Sequence, residues 1–173
     1  LINEDVLAGS LSRDAGENVD AYAITSTLAH PNYNITFVSA NLTINKKPIT
    51  VMAVTNTKIF DGNTSAVGTP TFADGSLVGT DTANFTEIYD TENAGTSKTL
   101  TPSGVVNDGN GGTNYSYTFE VDTTGVITTK SITITPGAGQ SKVYGQLDST
   151  FAYTNIPALI DGDVFIGVLS RVE

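Results

Sequence analysis

Hydrophobic and polar positions alternate with a period of two along several stretches of this chain. That spacing puts successive side chains on opposite faces of a β-strand. Tyr33, Ile35 and Phe37 alternate with Asn34 and Thr36, and Tyr115, Tyr117, Phe119 and Val121 alternate with Ser116, Thr118 and Glu120. Ile49, Val51 and Ala53 keep the same habit, as do Ile132 and Ile134 beside Thr133 and Thr135. Each run predicts a strand with one apolar face and one Thr/Ser-coated face, as in sheets covered on one side only. Turn signals at Asp61-Gly62, Asp74-Gly75 and Asp161-Gly162 punctuate the runs. The stretch Asp108-Gly109-Asn110-Gly111-Gly112 lies between strand candidates over residues 100–106 and 114–121 and predicts a flexible hairpin tip. A phosphate cradle would need a helix after the glycines. Short helical turns around residues 79–84 or 160–166 are the most helix expected. The predicted fold class is all-β: tandem small β-sandwich or β-grasp-like modules with short joints.

Composition supports this and removes several functions. Of 173 residues, 39% are apolar, enough to form a core, and helix-favouring residues are sparse. Eight Lys+Arg against 18 Asp+Glu give a net charge of −10, which argues against nucleic acid and anionic membrane as partners. No apolar stretch of about 18 residues is present for a spanning helix, so membrane insertion is not expected. With no Cys there is no thiolate nucleophile, disulfide or zinc knuckle. Leu1 begins the chain with neither an initiator Met nor a basic leader, so the segment reads as an internal piece of something longer.

The chain also repeats itself. Asp5-Val6-Leu7-Ala8-Gly9-Ser10-Leu11-Ser12-Arg13 recurs as Asp163-Val164-Phe165-Ile166-Gly167-Val168-Leu169-Ser170-Arg171, with six of nine positions identical. At about half that spacing Lys47-Pro48-Ile49-Thr50 parallels Lys130-Ser131-Ile132-Thr133, and Lys58-Ile59-Phe60-Asp61-Gly62 parallels Lys142-Val143-Tyr144-Gly145. Asn32 to Phe37 parallels Asn114 to Phe119, and Glu17-Asn18 ahead of Ile24 parallels Glu92-Asn93 ahead of Leu100. Two related module types therefore alternate. Residues 1–47 are the rear half of one type, 48–131 a complete module of the other, and 132–173 the front half of the first type again. Joints at residues 45–48 and 128–131 are short, which predicts a semi-rigid array.

These landmarks resemble known repeats. The central module, with Lys58, Phe60, Asp61 and Gly62, resembles the YDG-type repeat of large bacterial surface proteins, Phe60 standing where that pattern has Tyr. The flanking halves resemble the MBG-type repeat of the same proteins through Lys142 to Gly145, Gly162 to Arg171, Gly16 to Ile24, Asn32 to Phe37 and Thr43 to Lys47. The resemblance implies secreted, surface-bound adhesins and exoproteins, with no catalytic residue and no obligatory cofactor.

Read from the residues alone, candidate chemistry is thin. His30, the single His, is expected in a surface loop, and no G-x-S-x-G or S-x-x-K motif accompanies it. Calcium would take oxygen ligands such as Asp90, Glu92 and Asn93, or Asp161 and Asp163, although turn-forming and solvating roles are favoured for these. Five N-x-S/T sequons, at Asn34, Asn41, Asn63, Asn84 and Asn114, are what a Thr-rich chain produces by chance. The repeated landmarks point to architecture. Lys58 and Lys142 precede an aromatic and a turn glycine, Gly62 or Gly145. Phe60 and Tyr144 are expected in the core. Arg13 and Arg171 are expected to fix a loop through Glu17 or carbonyl groups. A Lys–Asn isopeptide crosslink between strands lacks a supporting pattern. The expected function is a stalk or spacer repeat of an extracellular bacterial surface protein, not an enzyme. Its partners would be neighbouring modules of the same or an identical chain, with half-modules complementing each other head to tail. The rival is a glycan- or protein-binding adhesin module, with calcium assisting, that engages a host or environmental surface.

Overall fold

The computed structural model describes residues 5–72, 77–160 and 162–171. The turn expected at Asp74-Gly75 and the candidate ligand Asp161 lie outside them. Among the described residues the chain forms twelve strands and no helix. They are β1 (Leu11–Arg13), β2 (Asp20–Ser26), β3 (Asn41–Ile44), β4 (Lys47–Met52), β5 (Thr57–Ile59), β6 (Thr71–Phe72), β7 (Thr82–Tyr89), β8 (Gly95–Asn107), β9 (Tyr115–Glu120), β10 (Asp122–Thr128), β11 (Thr133–Pro136) and β12 (Tyr153–Ile156). The fold is all-β.

Four sheets follow, with orders β1-β2-β3, β6-β4-β9, β5-β10-β8-β7 and β11-β12. Two pairings are parallel. β4 lies beside β9 from Lys47↔Tyr115 to Met52↔Glu120, and β10 lies beside β5 from Val126↔Thr57 to Thr128↔Ile59. The antiparallel pair β11-β12 reproduces β4-β6 in register. Ile134↔Asn155 and Thr135↔Thr154 stand 83 residues beyond Val51↔Phe72 and Met52↔Thr71. The half-period seen in the sequence is thus also a structural period.

The chain divides into two compact units, 1–52 with 70–86 and 102–120, and 53–69 with 87–101 and 121–173. In the first, Ile49 and Val51 of β4 and Tyr115 of β9 meet Phe85 of β7 and Val106 of β8, so two sheets close on one apolar layer. Phe85 sits edge-on to Phe72 and Tyr117 at 5.8 and 6.0 Å between ring centroids, a favoured aromatic geometry. In the second, Tyr89, Leu100 and Ile127 form a core covered by Ala53, Phe60 and Ala66. All eight buried apolar residues lie between Ile49 and Ile127, so the described residues on either side contribute none.

The structure stays within the helix expected, since among the described residues neither 79–84 nor 160–166 holds a helical turn: residues 79–80 make a simple turn, and Thr82 already begins β7. Other expectations need correction. The glycine-rich run does not tip a hairpin, because β8 and β9 belong to different sheets, and the run carries the chain from one to the other. Nor is it loose. The Asp108 carboxylate accepts the backbone N–H groups of Asn110 at 2.7 Å, Gly112 at 2.8 Å and Asn114 at 3.1 Å. Residues 32–38 alternate as a strand should, yet form none. Alternation selects a strand only where a core waits for one face. Here Ile35, Phe37 and Val38 remain 37%, 42% and 83% exposed.

Candidate functional site: locked turns and joints

The repeated landmarks sit where each module turns. Lys58 of β5 donates from Nζ to Asp61 Oδ1 at 2.7 Å, to the Asn63 carbonyl at 2.6 Å and to Asn63 Oδ1 at 3.1 Å. Its ammonium also lies 5.4 Å from the centroid of the Tyr89 ring, a cation–π placement. The hydrogen bond from Lys58 holds the Asp61 carboxyl below the usual carboxylate range. Gly62 takes a φ of +76°, and a Cβ there would press within 3.0 Å of the Ile160 side chain. Asp61-Gly62 is therefore at once a turn and a close approach. Phe60 packs against the Tyr89, Leu100 and Ile127 core. Lys58 and Asn63 belong to one turn, so their contact closes a loop and joins no separate strands.

The counterpart turn differs in one respect. Lys142 pairs with Asp148 at 2.7 Å and donates to the Gln146 carbonyl at 3.0 Å, while Arg171 Nε donates to the other Asp148 oxygen at 2.7 Å. Hydrogen bonds from these two cations lower the Asp148 pKa. Gly145 keeps a positive φ of 84°. The Tyr144 ring, however, is fully exposed, against the expectation that it packs in a core. Phe60 has Leu100 beneath it. The position equivalent to Leu100 for Tyr144 is of the Ile24 kind, which belongs to the other half-module. Arg13 donates to the Asp14 carbonyl at 3.1 Å and to the Gly16 carbonyl, pairs with Glu17, and lies 5.0 Å over the Tyr22 ring.

The joints are short and braced. Only residues 45–46 separate β3 from β4, and residues 129–132 separate β10 from β11. At the first joint Asn114 is a clasp. Its Oδ1 accepts Val19 N–H at 2.8 Å, its Nδ2 donates to Asn18 Oδ1 at 2.9 Å, and its carbonyl accepts Lys47 N–H at 2.9 Å. The Asp108 cradle holds the loop that presents Asn114. Burial pushes the Asp108 carboxyl up, but its backbone hydrogen bonds outweigh that and leave it lowered. In the sequence Asn114 stands in a repeat landmark and in a chance sequon, and neither reading assigns it a contact with Asn18. The usable signal was that Asn18 and Asn114 both fall inside repeat landmarks. At the second joint a cleft of about 320 Å³ is lined by Phe60, Asn93, Lys130, Ile132, Leu159 and Ile160, and Ile160 also abuts Gly62.

The remaining candidates are occupied otherwise. His30 is less exposed than a surface loop implies. Its Nδ1 accepts Asn32 N–H at 3.1 Å, its Nε2 lies 3.6 Å from Asp5, and its ring contacts that of Tyr33, whose hydroxyl donates to Asp5 at 2.9 Å. The group pins the residues around Asp5 to a loop. Asp90 faces Lys98 at 3.6 Å and accepts Thr91 N–H, and Asn93 and Asp163 line the second joint. Among the described residues no three His, Asp or Glu side chains gather about one point. No described helix is long and apolar enough to cross a membrane.

The two core tyrosines predict an alkaline limit to stability. Tyr115 OH donates to Asp81 at 2.6 Å, and Tyr89 OH donates to Asn56 at 2.8 Å. Burial raises both pKa values; the Asp81 hydrogen bond adds to it at Tyr115, and the Glu87 charge adds to it at Tyr89. The unfolded chain releases these protons near pH ~10, the folded chain later. Between the two, the unfolded state binds fewer protons, so stability is full below pH ~10 and falls as pH climbs toward the folded values. Urea midpoints from pH 8 to 12 should drop above pH ~10, and the drop should shrink in Tyr115→Phe. A level profile, or an equal drop in the variant, refutes the assignment.

The strand arrangement, turn locks and braced joints define a class: an all-β module of a repeat architecture, with its polar landmarks devoted to turns and junctions. Residues 45–124 match the family model of the YDG domain, and residues 1–43 match that of the MBG domain (YGX type). The chain thus holds an MBG-type segment over residues 1–43 and a YDG-type domain over residues 45–124. No curated protein and no solved structure shows significant similarity to it.

Proposed function

We propose that this chain is a force-bearing spacer segment of an extracellular bacterial surface protein, working through mechanics and not catalysis. The observation that carries the reading is the parallel pairing of β4 with β9. β4 opens the central module and β9 stands near its close, so tension applied at the two ends draws these neighbours past each other along their length. In that shear geometry six residue pairs resist together, whereas an antiparallel pair pulled from its open end parts one pair at a time. β5 and β10 repeat the arrangement over three pairs. The Asn114 clasp and the short joints favour a chain that transmits tension with little bending. The net charge of −10 keeps such a segment soluble and discourages lateral association.

Single-molecule stretching of this chain between inert handles tests the reading. The central module should rupture in one event that releases about 25–30 nm of contour, from ~3.5 Å per residue over the matched YDG span. Its force should exceed that of a module pulled from points that peel β9 off β4. Equal forces in the two directions refute the mechanical reading.

A further inference from the structure

We infer that Asn110 is a site of spontaneous chemical modification, where loss of its side-chain ammonia unfastens the Asn114 clasp. Asn110-Gly111 is the single Asn-Gly pair in the chain. The reaction brings the main-chain nitrogen that follows an Asn onto that residue's side-chain carbonyl carbon. A glycine hinders this least, because it has no Cβ. The loop favours the attack in three ways. Gly111 is exposed, holds a φ of +66° and has nothing within 4 Å of where a Cβ would stand. The Asp108 carboxylate takes the N–H groups of Asn110, Gly112 and Asn114 but passes over that of Gly111, for which no acceptor stands among the described residues. That nitrogen is therefore free to give its proton to solvent. Lastly, Asn110 Nδ2 donates to Thr113 Oγ1 at 2.7 Å and to Asn114 Oδ1 at 3.2 Å, which draws the side chain toward the residues that follow it in the turn.

Water is the sole co-reactant. Gly111 N bonds to Asn110 Cγ and gives up its proton, the Cγ–Nδ2 bond breaks, and ammonia leaves. Water then opens the cyclic imide at either carbonyl, which leaves Asp or its β-linked isomer at position 110. Both products replace an amide donor with an anion that only accepts. The anion faces Asn114 Oδ1, which is also an acceptor, and it stands beside the Asp108 carboxylate that holds the Asn110 N–H. Asn114 relieves this by turning its amide to present Nδ2, and Oδ1 then leaves the Val19 N–H that it accepts at 2.8 Å. A main-chain donor cannot turn to match, so Val19 loses its acceptor, and the Nδ2 contact with Asn18 goes with it. The change runs one way. The brace between residues 18–19 and the 108–114 loop therefore weakens with the age of the molecule.

The inference stands apart from the mechanical reading and is tested without it. The whole chain is aged in warm, mildly alkaline buffer and sampled by peptide mass spectrometry. Asn110 should convert ahead of every other asparagine, with the β-linked isomer among the products. Gly111→Ala should lose that lead, because its methyl crowds the attacking nitrogen. Asn110→Gln leaves the glycine and its backbone in place and should stay intact over the same interval, since its longer side chain must close a larger ring. Hydrogen exchange at the Val19 amide reads the consequence. It should quicken in the aged protein and in fresh Asn110→Asp, whereas aged Asn110→Gln should keep its own fresh rate. Conversion of Asn110 no faster than that of Asn63, which Thr64 follows, or Val19 exchange unmoved by Asn110→Asp, would each overturn the inference.

Discussion

Replacing Gly104 with Ala should cost more stability than any other single-methyl addition to the first unit, more than about 4 kcal/mol, and should remove its cooperative transition under denaturant. Two effects coincide there. Gly104 holds a φ of +130°, which L-residues rarely adopt, and an added Cβ would fall within 3.0 Å of the Asn84 carbonyl oxygen and of Phe85 Cα. These are backbone atoms of β7, so no side chain can swing aside. To make room, β7 must retreat from β8, and Phe85 would leave the layer it shares with Ile49, Val51, Val106 and Tyr115. Gly109 separates the two effects. Its φ is +73°, but nothing lies within 4 Å of a Cβ there, so Gly109→Ala should cost only the ~1–2 kcal/mol of a left-handed conformation. Urea unfolding of both variants decides the matter. Equal midpoints would show that β7 and β8 are not pressed together at Gly104.

How much of this was legible in the sequence depends on whether a strand's inner face is uniformly apolar. β4, β9 and β11 announce themselves, because Ile49 and Val51, Tyr115 and Tyr117, and Ile134 alternate with Thr, Ser and Pro. β7 does not, because its buried face reads Phe85, Glu87, Tyr89, and a carboxylate in the middle breaks the apolar pattern while Ile88 points outward. Residues 32–38 fail in the opposite sense, with correct alternation and no strand. Turn chemistry survived well, since Lys58, Asp61 and Gly62 need only one another and the local backbone. What period-two patterns cannot encode is which strands become neighbours. The parallel β4–β9 pairing spans more than sixty residues of chain, and only the internal repeat hints at it. The joint clasp is no plainer: the repeat marks Asn18 and Asn114 as landmarks, but they meet through tertiary structure, and an Asn in a loop has no pattern that names its partner.

Glu87, the residue that hides β7, also sets the second large expected effect. It is 1% exposed, its Oε2 accepts Val54 N–H at 2.9 Å, and its Oε1 has no hydrogen-bond partner. The space for that oxygen exists because position 68 has no side chain: a Cβ on Gly68 would lie within 3.0 Å of both Glu87 Oε1 and Val54 Cγ2. Gly68→Ala should therefore destabilise the second unit by about 2–3 kcal/mol, at the upper range of overpacking in a filled core. Glu87→Ala alone should cost about 1–3 kcal/mol, since it strands the half-buried Val54 N–H and leaves a void. Combined, the two should cost less than their sum, because the methyl at 68 occupies space the carboxylate has left, and the coupling should fall within the ~0.5–3 kcal/mol seen for residues in contact. Chemical denaturation of the four proteins in the cycle measures it. Strict additivity would mean that Gly68 and Glu87 do not share that space, and the presence of a carboxylate on the inner face of β7 would need a different cause.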